Sequence, residues 1–270
     1  MKTNQFLSYL RGLKITVSRQ GDRLHFNAPQ GTLTPALRAE LTKRKTEILE
    51  FLSQANAASD YDFLPIVPVS RSEPLPLSFA QDRLWFLDQL MPGNAFYNIP
   101  SALRLAGELD VLALQRSLNE IIRRHETLRT RFFTVNGQAT QFIASTFELT
   151  LAVIDLQSLP KVERSELTRF LASELAQQPF NLTEAPLIRV MLLCLAPTEH
   201  VLLFVMHHII SDGWSIGVFH RELAVLYDTF VTGKTSPLPE LSIQYADFAV
   251  WQRTWLEQTS LKNQLLYWQQ

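Results

Sequence analysis

Two apolar runs separated by a short turn constrain the fold of this chain more than any other feature. The runs span residues 187–195 and 200–206, and Ala196-Pro197-Thr198-Glu199 lies between them. Their apolar β-forming residues predict two strands that are joined at this turn. Helical patterns occur before and after the two runs, without strict alternation of strand and helix. We therefore expect an α+β sandwich rather than a parallel sheet.

The second apolar run leads directly into His207-His208-Ile209-Ile210-Ser211-Asp212-Gly213. Because side chains alternate faces along a strand, two adjacent histidines cannot both face one cleft. We therefore expect one imidazole to be free for chemistry and the other to be held within the fold. An imidazole whose pKa is near neutrality can accept a proton from an attacking amine or hydroxyl. The pattern predicts a site with a histidine as its chemical group.

Two other interpretations of this segment remain open at this point. A histidine at a strand end is often a structural residue. His207, His208 and Asp212 also offer three potential metal ligands. However, neighbouring strand residues diverge, and the single cysteine, Cys194, has no CxxC or HxxxH companion. We therefore expect no metal site.

The distribution of charge divides the chain into two parts. Residues 1–53 contain nine Lys/Arg and four Asp/Glu, a net charge of +5, whereas the remainder has 16 basic and 22 acidic residues, a net charge of −6. This asymmetry predicts two units with different partners. The basic part has neither zinc-ligand spacing nor an aromatic RNA-binding motif, so we expect an acidic protein tail rather than nucleic acid. Lys43, Arg44 and Lys45 form either a solvated face or the contact with that tail.

Cysteine content and hydropathy indicate the compartment. One cysteine in 270 residues excludes a disulfide framework and fits a reducing cytosol. The polar start, Met1-Lys2-Thr3-Asn4-Gln5, does not resemble a signal peptide, and no run approaches the length needed to span a membrane. We expect a cytoplasmic protein without a membrane segment.

The pattern along the chain predicts three regions. Residues 1–53 are expected to form a helix–hairpin–helix unit whose last helix, capped by Thr34, runs to about Leu52. Residues 54–76 are small, polar and proline-punctuated, which predicts a linker. Residues 77–270 form the large unit. Its predicted elements are helices near 80–87, 111–125, 158–177 and 216–231, a strand at 99–105 and a hairpin around Asn136-Gly137.

Four segments of the large unit match a known family. They are SFAQDRLWFL at 78–87, RHETLRTRF at 124–132, MHHIISDGWS at 206–215 and YADFAVWQ at 245–252. In this order and spacing, they resemble a nonribosomal peptide synthetase condensation domain of the chloramphenicol-acetyltransferase-like superfamily. The sequence of residues 206–215 resembles that of the subtype of condensation domain that joins an L-configured donor to an L-configured acceptor. Residues 1–53 resemble the small docking domains that precede such synthetases.

The resemblance implies a fold, a reaction and partners. The expected fold is the N-terminal lobe of a condensation domain, because the chain stops at Gln270 and the second lobe of the family is then missing. The expected reaction is amide bond formation between thioesters held by upstream and downstream carrier domains, in secondary metabolite or antibiotic biosynthesis. The phosphopantetheine arms belong to those carriers, and no cofactor is expected on this chain. An upstream synthetase would supply its C-terminal tail to the docking unit.

The resemblance also implies roles for the residues of the motif. His208 is expected to act as general base or to position the amine by a hydrogen bond, and His207 to support the strand. Asp212 either acts on the substrate or, as we favour, forms a structural ion pair that fixes the loop behind His208. Its expected partner is Arg124 or Arg129, with Arg124 preferred.

The rest of the motif has less specific expected roles. Gly213 either offers its backbone N–H to a developing oxyanion or is a simple turn residue. Trp214 and Ser215 are expected to line the tunnel. Two alternative functions share the motif: an epimerisation or free-standing acyltransferase, and a truncated, non-catalytic docking or scaffold fragment.

Overall fold

The computed structural model describes residues 3–13, 15–20, 23–29, 32–50 and 65–256. The predicted helix end near Leu52 and the first part of the predicted linker, residues 54–64, lie outside these residues. The chain divides into two compact units, Met1–Pro65 and Ile66–Gln270. Each unit has its own hydrophobic core.

The first unit combines two helices with a hairpin, as expected. Its elements are α1 (Thr3–Gly12), β1 (Thr16–Gln20), β2 (Arg23–Asn27) and α2 (Pro35–Lys43). Strands β1 and β2 are antiparallel, and α2 begins at the predicted cap, where the Thr34 hydroxyl accepts a hydrogen bond from the Leu37 amide. The single long helix that we expected from residue 35 is interrupted at Arg44, and residues 45–50 are again helical.

The core of the second unit lies against a four-stranded sheet with the order β4-β9-β8-β7. Its strands are β4 (Asn98–Ala106), β7 (Ala152–Asp155), β8 (Ile188–Ala196) and β9 (Glu199–His207). The two predicted apolar strands are β8 and β9, and they pair in an antiparallel manner across the predicted turn. Strand β7, which the sequence analysis did not identify, pairs with β8 in parallel.

A second, three-stranded sheet has the order β3-β6-β5. Its strands are β3 (Leu75–Pro76), β5 (Thr130–Val135) and β6 (Gln138–Ile143). The predicted Asn-Gly turn joins β5 to β6, and both turn residues have a positive φ, 51° at Asn136 and 79° at Gly137. Asparagine and glycine tolerate this region of backbone space better than other residues, which explains why the dipeptide marked the hairpin correctly.

Five helices complete the described part of the second unit. They are α3 (Phe79–Leu90), α4 (Val111–Arg124), α5 (Lys161–Gln177), α6 (Gly213–Val231) and α7 (Tyr245–Trp255), with a 3-10 helix (Glu126–Arg129) after α4. Helix α3 begins with a capping box between Ser78 and Gln81, and α4 is capped by Asp110. The mixed helix and sheet architecture is the expected α+β lobe. Among the described residues, we find no helix with the length and apolar character that a bilayer crossing requires.

Packing of α4 and α6 fixes the region around the histidine motif. Helix α4 buries an apolar face that contains Leu114, Leu118, Ile121 and Ile122, and α4 packs against α6. Strand β9 ends at His207, and α6 begins six residues later, at Gly213. The motif is therefore the short connection between a buried strand and a packed helix, and both of its ends are held in place.

Candidate functional site

His207 is buried at the end of β9. Its side chain is 4% exposed and lies between the rings of Tyr97 and Phe180, with ring centroids 6.3 and 6.1 Å away in edge-on arrangements. Its Nδ1 accepts a hydrogen bond of 3.1 Å from the Ile209 amide. Burial, with a smaller contribution from the neighbouring His208, lowers the pKa of His207 to about 4. This imidazole is therefore neutral at pH 7 and braces the turn after the strand.

We expect the low pKa of His207 to make folding pH-dependent. The ring binds a proton below pH 6.5 when unfolded but only below about pH 4 when folded. Between these values the unfolded state binds more protons, so the free energy of unfolding decreases as the pH falls, by about 3 kcal/mol in total from this group. Urea unfolding at pH 7 and at pH 4 measures the change.

The control for this prediction is His207→Asn, whose side-chain oxygen can still accept from the Ile209 amide but does not titrate. The difference in unfolding free energy between pH 7 and pH 4 should be smaller in this variant by about 3 kcal/mol. An unchanged difference would contradict the burial of a neutral His207, since other groups that titrate in the range are common to both proteins.

His208 is exposed, in contrast to its neighbour. Its backbone N–H donates to the Tyr97 carbonyl at 2.8 Å, and its Nδ1 lies 2.7 Å from the Ser211 carbonyl oxygen. A carbonyl oxygen can only accept, so Nδ1 carries the proton and donates it to Ser211. In the neutral ring, Nε2 then holds the free lone pair. The backbone thus fixes both the orientation of the ring and its tautomer.

The structure places Asp212 at the N-cap of α6. Its Oδ1 accepts hydrogen bonds from the Ser215 amide at 2.8 Å and from the Ser215 hydroxyl at 2.7 Å. The hydrogen bonds from the Ser215 amide and hydroxyl hold the pKa of the Asp212 carboxyl below its usual value, despite some burial. Asp212 therefore fixes the loop behind His208 as we expected, but through a helix cap.

The expected ion pair of Asp212 with an arginine was wrong. Arg124, which is 3% exposed, donates instead to both carboxylate oxygens of Glu222 at 3.2 Å. Arg129 donates to two backbone carbonyls, those of Ala144 and Arg123. The physical reason is local: an exposed aspartate at a helix start is satisfied by the amides of the first turn, whereas a buried guanidinium needs a carboxylate that is buried with it.

Glu222 and His125 lie beside the candidate site, and the sequence analysis did not single them out. Glu222 Oε2 lies 2.9 Å from His125 Nε2, so one carboxylate on α6 holds both Arg124 and His125 at the end of α4. Burial raises the pKa of the Glu222 carboxyl, but the hydrogen bonds from Arg124 and His125 outweigh this effect and keep it below its usual value. The match of residues 124–132 to a family segment was the only signal that pointed to His125.

A cavity of about 800 Å³ opens beside the motif. We call it the main cavity. His208, Ser211, Asp212 and Ser215 line one side of it, and His125 also contributes to its wall. Other lining residues come from α3, from the start of α7 and from the loops before them: Ala80, Arg83, Leu84, Gln244, Tyr245 and Phe248. The exposed imidazole of His208 therefore lies on a space that is large enough for a small acyl substrate.

A smaller cavity of about 140 Å³ shares several walls with the main cavity. His125, Ser211 and Ser215 line both spaces, and Trp214 lines only the smaller one. The Trp214 side chain is 80% exposed. Both residues expected to line a tunnel therefore border a cavity next to His208.

Gly213 is the first residue of α6, and its φ lies outside the left-handed region. A Cβ atom at this position would meet no atom within 4 Å among the described residues. Neither backbone strain nor packing explains the glycine, so the geometry does not favour the simple turn role. Its role as an oxyanion donor remains a prediction.

The basic residues expected to dock a partner differ in their surroundings. Lys43 and Lys45 are exposed, whereas Arg44 is partly buried. Arg44 donates to Glu40 at 2.6 Å, and its guanidinium lies 5.2 Å from the centre of the Phe6 ring. Two of the three cations are thus presented to solvent. Within the described ranges, no cluster of three or more His, Cys, Asp or Glu side chains has a metal-binding arrangement.

Two family models match the chain. The model described as "Condensation domain" matches residues 71–270, and the model described as "TubC N-terminal docking domain" matches residues 4–54. The two matches correspond closely to the division of the chain into two compact units.

Curated relatives agree with these matches. One component of the linear gramicidin synthase of Brevibacillus parabrevis is 46% identical over 94% of this chain, and a second component of the same synthase is 52% identical over 76%. The chain covers only 3% and 4%, respectively, of the lengths of these two proteins.

Solved structures agree as well. The structure described as "Molecular basis for condensation domain-mediated chain release from the enacyloxin polyketide synthase" aligns with a TM-score of 0.69 at 30% identity, covering 99% of this chain and 51% of that chain. The X-domain in complex with OxyB from teicoplanin biosynthesis aligns with a TM-score of 0.67 at 32% identity, over 76% of this chain and 44% of that one. The chain belongs to the condensation domain family of the nonribosomal peptide synthetases, with a docking domain of the TubC type at its N-terminus.

Proposed function

We propose that this chain contributes to amide bond formation between two carrier-bound thioesters during nonribosomal peptide synthesis. The observation that carries the proposal is the presentation of His208 at the main cavity, with its tautomer fixed by the Ser211 carbonyl. The amine of the acceptor attacks the carbonyl carbon of the donor thioester. The C–S bond then breaks, the donor carrier regains a thiol, and the product amide remains on the acceptor carrier.

His208 interacts with the proton of the attacking amine in this reaction. Because Nδ1 donates to the Ser211 carbonyl, Nε2 is the ring atom whose lone pair can accept a hydrogen bond from the attacking nitrogen. The ring either removes this proton as general base or holds the amine in line with the thioester. Asp212 acts indirectly, since it caps α6 and fixes the loop that carries Ser211.

The substrates are proposed to arrive on the phosphopantetheine arms of upstream and downstream carrier domains, so no cofactor is bound by this chain itself. The relatives named gramicidin synthase support a peptide product. The resemblance of the sequence of residues 206–215 to the L-to-L subtype supports an L-configured donor and an L-configured acceptor. The reaction is proposed to take place in the cytoplasm, which agrees with a chain that has one cysteine.

A single-turnover assay tests this function. The full polypeptide that carries these residues is mixed with one donor-loaded and one acceptor-loaded carrier, and the amide on the acceptor carrier is quantified by mass spectrometry. Amide that forms with the parent protein and not with His208→Ala supports the proposal. If the parent yields an epimerised donor and no amide, the epimerisation alternative is favoured. If it binds the carriers without transfer, the scaffold alternative is favoured.

We further propose that residues 1–53 bind the acidic C-terminal tail of an upstream synthetase. The net charge of +5 and the exposed Lys43 and Lys45 support this interaction. Tyr9 and Phe26, which are 52% and 41% exposed, add apolar surface to the unit. The TubC-type docking model covers the same residues.

Salt dependence is the expected signature of this docking. Titration of a synthetic acidic tail peptide should give an affinity that weakens as ionic strength rises, because exposed charges are screened beyond about 10 Å at 0.1 M salt. Replacing Lys43 and Lys45 together by alanine should weaken binding by about three- to tenfold at low salt. Lys234→Ala, which removes an exposed cation from the other unit, is the control. Equal affinities for the double variant and the control would contradict the assigned surface.

A further inference from the structure

Ser211 has an unusual hydroxyl group. The residue is 7% exposed and lines both the main cavity and the smaller one. Its carbonyl oxygen accepts the hydrogen bond that orients His208. Its Oγ is shielded from solvent and has no hydrogen-bond partner among the residues that the structure describes. A buried hydroxyl without a partner is destabilising, and the described part of the chain offers this one no hydrogen bond that would offset the cost.

Two other serines of the same unit show how a serine hydroxyl acts in a structural role. Ser117, which is fully buried in α4, donates to the Ala113 carbonyl at 2.7 Å. Ser215 donates to Asp212 at 2.7 Å within the cap of α6. Capping and back-bonding are the usual structural uses of serine. Ser211 makes neither interaction through its side chain, although alanine would occupy the same position without an unsatisfied polar group.

We propose that the Ser211 hydroxyl binds the acyl carbonyl oxygen of the donor thioester. This inference rests on the proposed amide-forming function and adds a second substrate-binding group to His208. For this contact, rotation about the Cα–Cβ bond of Ser211 would have to bring Oγ to the wall of one of the cavities that the residue lines. The substrate then supplies the hydrogen bond that the described residues do not provide.

The carbonyl oxygen is the substrate atom that matches this donor best. His208 Nε2 provides the acceptor for the attacking amine, so the complementary need is a donor for the oxygen that becomes negative during attack. A donor aimed at this oxygen stabilises the transition state more than the ground state. The backbone of Ser211 orients the imidazole, and its side chain binds the electrophile. One residue would thus set the relative positions of both reacting groups.

The variant Ser211→Ala tests this role in the full polypeptide that carries these residues. Its single-turnover rate at saturating loaded carrier is expected to fall about 10- to 100-fold, the loss of one hydrogen bond to a developing charge. The apparent affinity for the donor carrier should change less than the rate. The thermal midpoint should not fall and is expected to rise by about 2–4 °C, because an unsatisfied hydroxyl is removed.

Ser117→Ala is the matched control, since it removes a buried hydroxyl that has a partner and lies on α4. Its rate should equal that of the parent, and its thermal midpoint should be lower or unchanged. A Ser211→Ala protein with the parent rate, or one that loses rate and stability together, would overturn the role of Ser211 alone. A parent protein that forms no amide would overturn the proposed function and, with it, this inference.

Discussion

Replacing His208 by alanine is expected to reduce the single-turnover rate of amide formation by about 10²–10⁴-fold, the usual contribution of general acid–base assistance. The imidazole is the exposed one of the pair and lies on the main cavity, with Nδ1 held by the Ser211 carbonyl at 2.7 Å. Its removal leaves the attacking amine without an acceptor for its proton. Product formed between loaded carriers in a quenched-flow experiment measures the effect.

His208→Gln distinguishes the two possible roles of this residue, general base and positioning of the amine. Glutamine places a neutral amide near the position of Nε2 but cannot take a proton at neutral pH. A glutamine variant that retains most of the rate indicates a positioning role, and one as slow as alanine indicates a base. The folded state should be little affected, because the side chain is exposed. An alanine variant whose rate remains within about twofold of the parent would contradict any chemical role for His208.

The strands and the turn around the motif were predictable because their signals are local. The predicted strands at 187–195 and 200–206 differ from β8 and β9 by about one residue at each end. The Asn-Gly hairpin and the cap at Thr34 were also confirmed. Each of these features depends on the backbone preference or hydrogen bonding of residues within one turn. The two neighbouring histidines also differ as expected, one buried and one exposed, but His208 lies in the turn after β9, so its exposure follows from the turn and not from alternation along the strand.

The features that were missed depend on contacts between residues that are far apart along the chain, or belong to segments with few buried residues. Strand β7 is four residues long and mostly exposed, so it has little apolar pattern of its own and is recognised only by its parallel pairing with β8. The break at Arg44 was hidden because residues on both sides of it have helical spacing. Nothing near Ser211 in the sequence indicates that its hydroxyl has no hydrogen-bond partner among the residues that the structure describes.

At the site itself, the partner of Arg124 could not be predicted either, because it lies far away along the chain. Arg124 and Glu222 are 98 residues apart, and they meet because α4 packs against α6. The motif alone suggested Asp212, which is the conspicuous acidic residue of the segment. The choice between the two carboxylates is decided by position: Glu222 lies on the face of α6 toward α4, whereas Asp212 lies at its exposed start.

Replacing Glu222 by alanine is therefore expected to destabilise the protein by about 3–5 kcal/mol, the usual effect of removing one side of a buried ion pair. The Arg124 side chain is only 2% exposed, and without Glu222 its partners among the described residues would be the Leu238 and Pro239 carbonyls. These carbonyls cannot compensate a buried charge as a carboxylate does. His125 would also lose the oxygen that holds its Nε2. Urea unfolding at pH 7 measures the loss.

Two comparison variants make this prediction specific. Glu240→Ala removes a carboxylate from the exposed pair with Arg123 and should leave the free energy of unfolding nearly unchanged, since solvent screens that pair. Asp212→Ala removes the cap of α6 and should cost about 1 kcal/mol. If Asp212→Ala were as destabilising as Glu222→Ala, the assignment of Arg124 to Glu222 would be wrong. The order of the three decreases in the free energy of unfolding thus shows whether the buried ion pair of Arg124 joins α4 to α6 or fixes the loop of the motif.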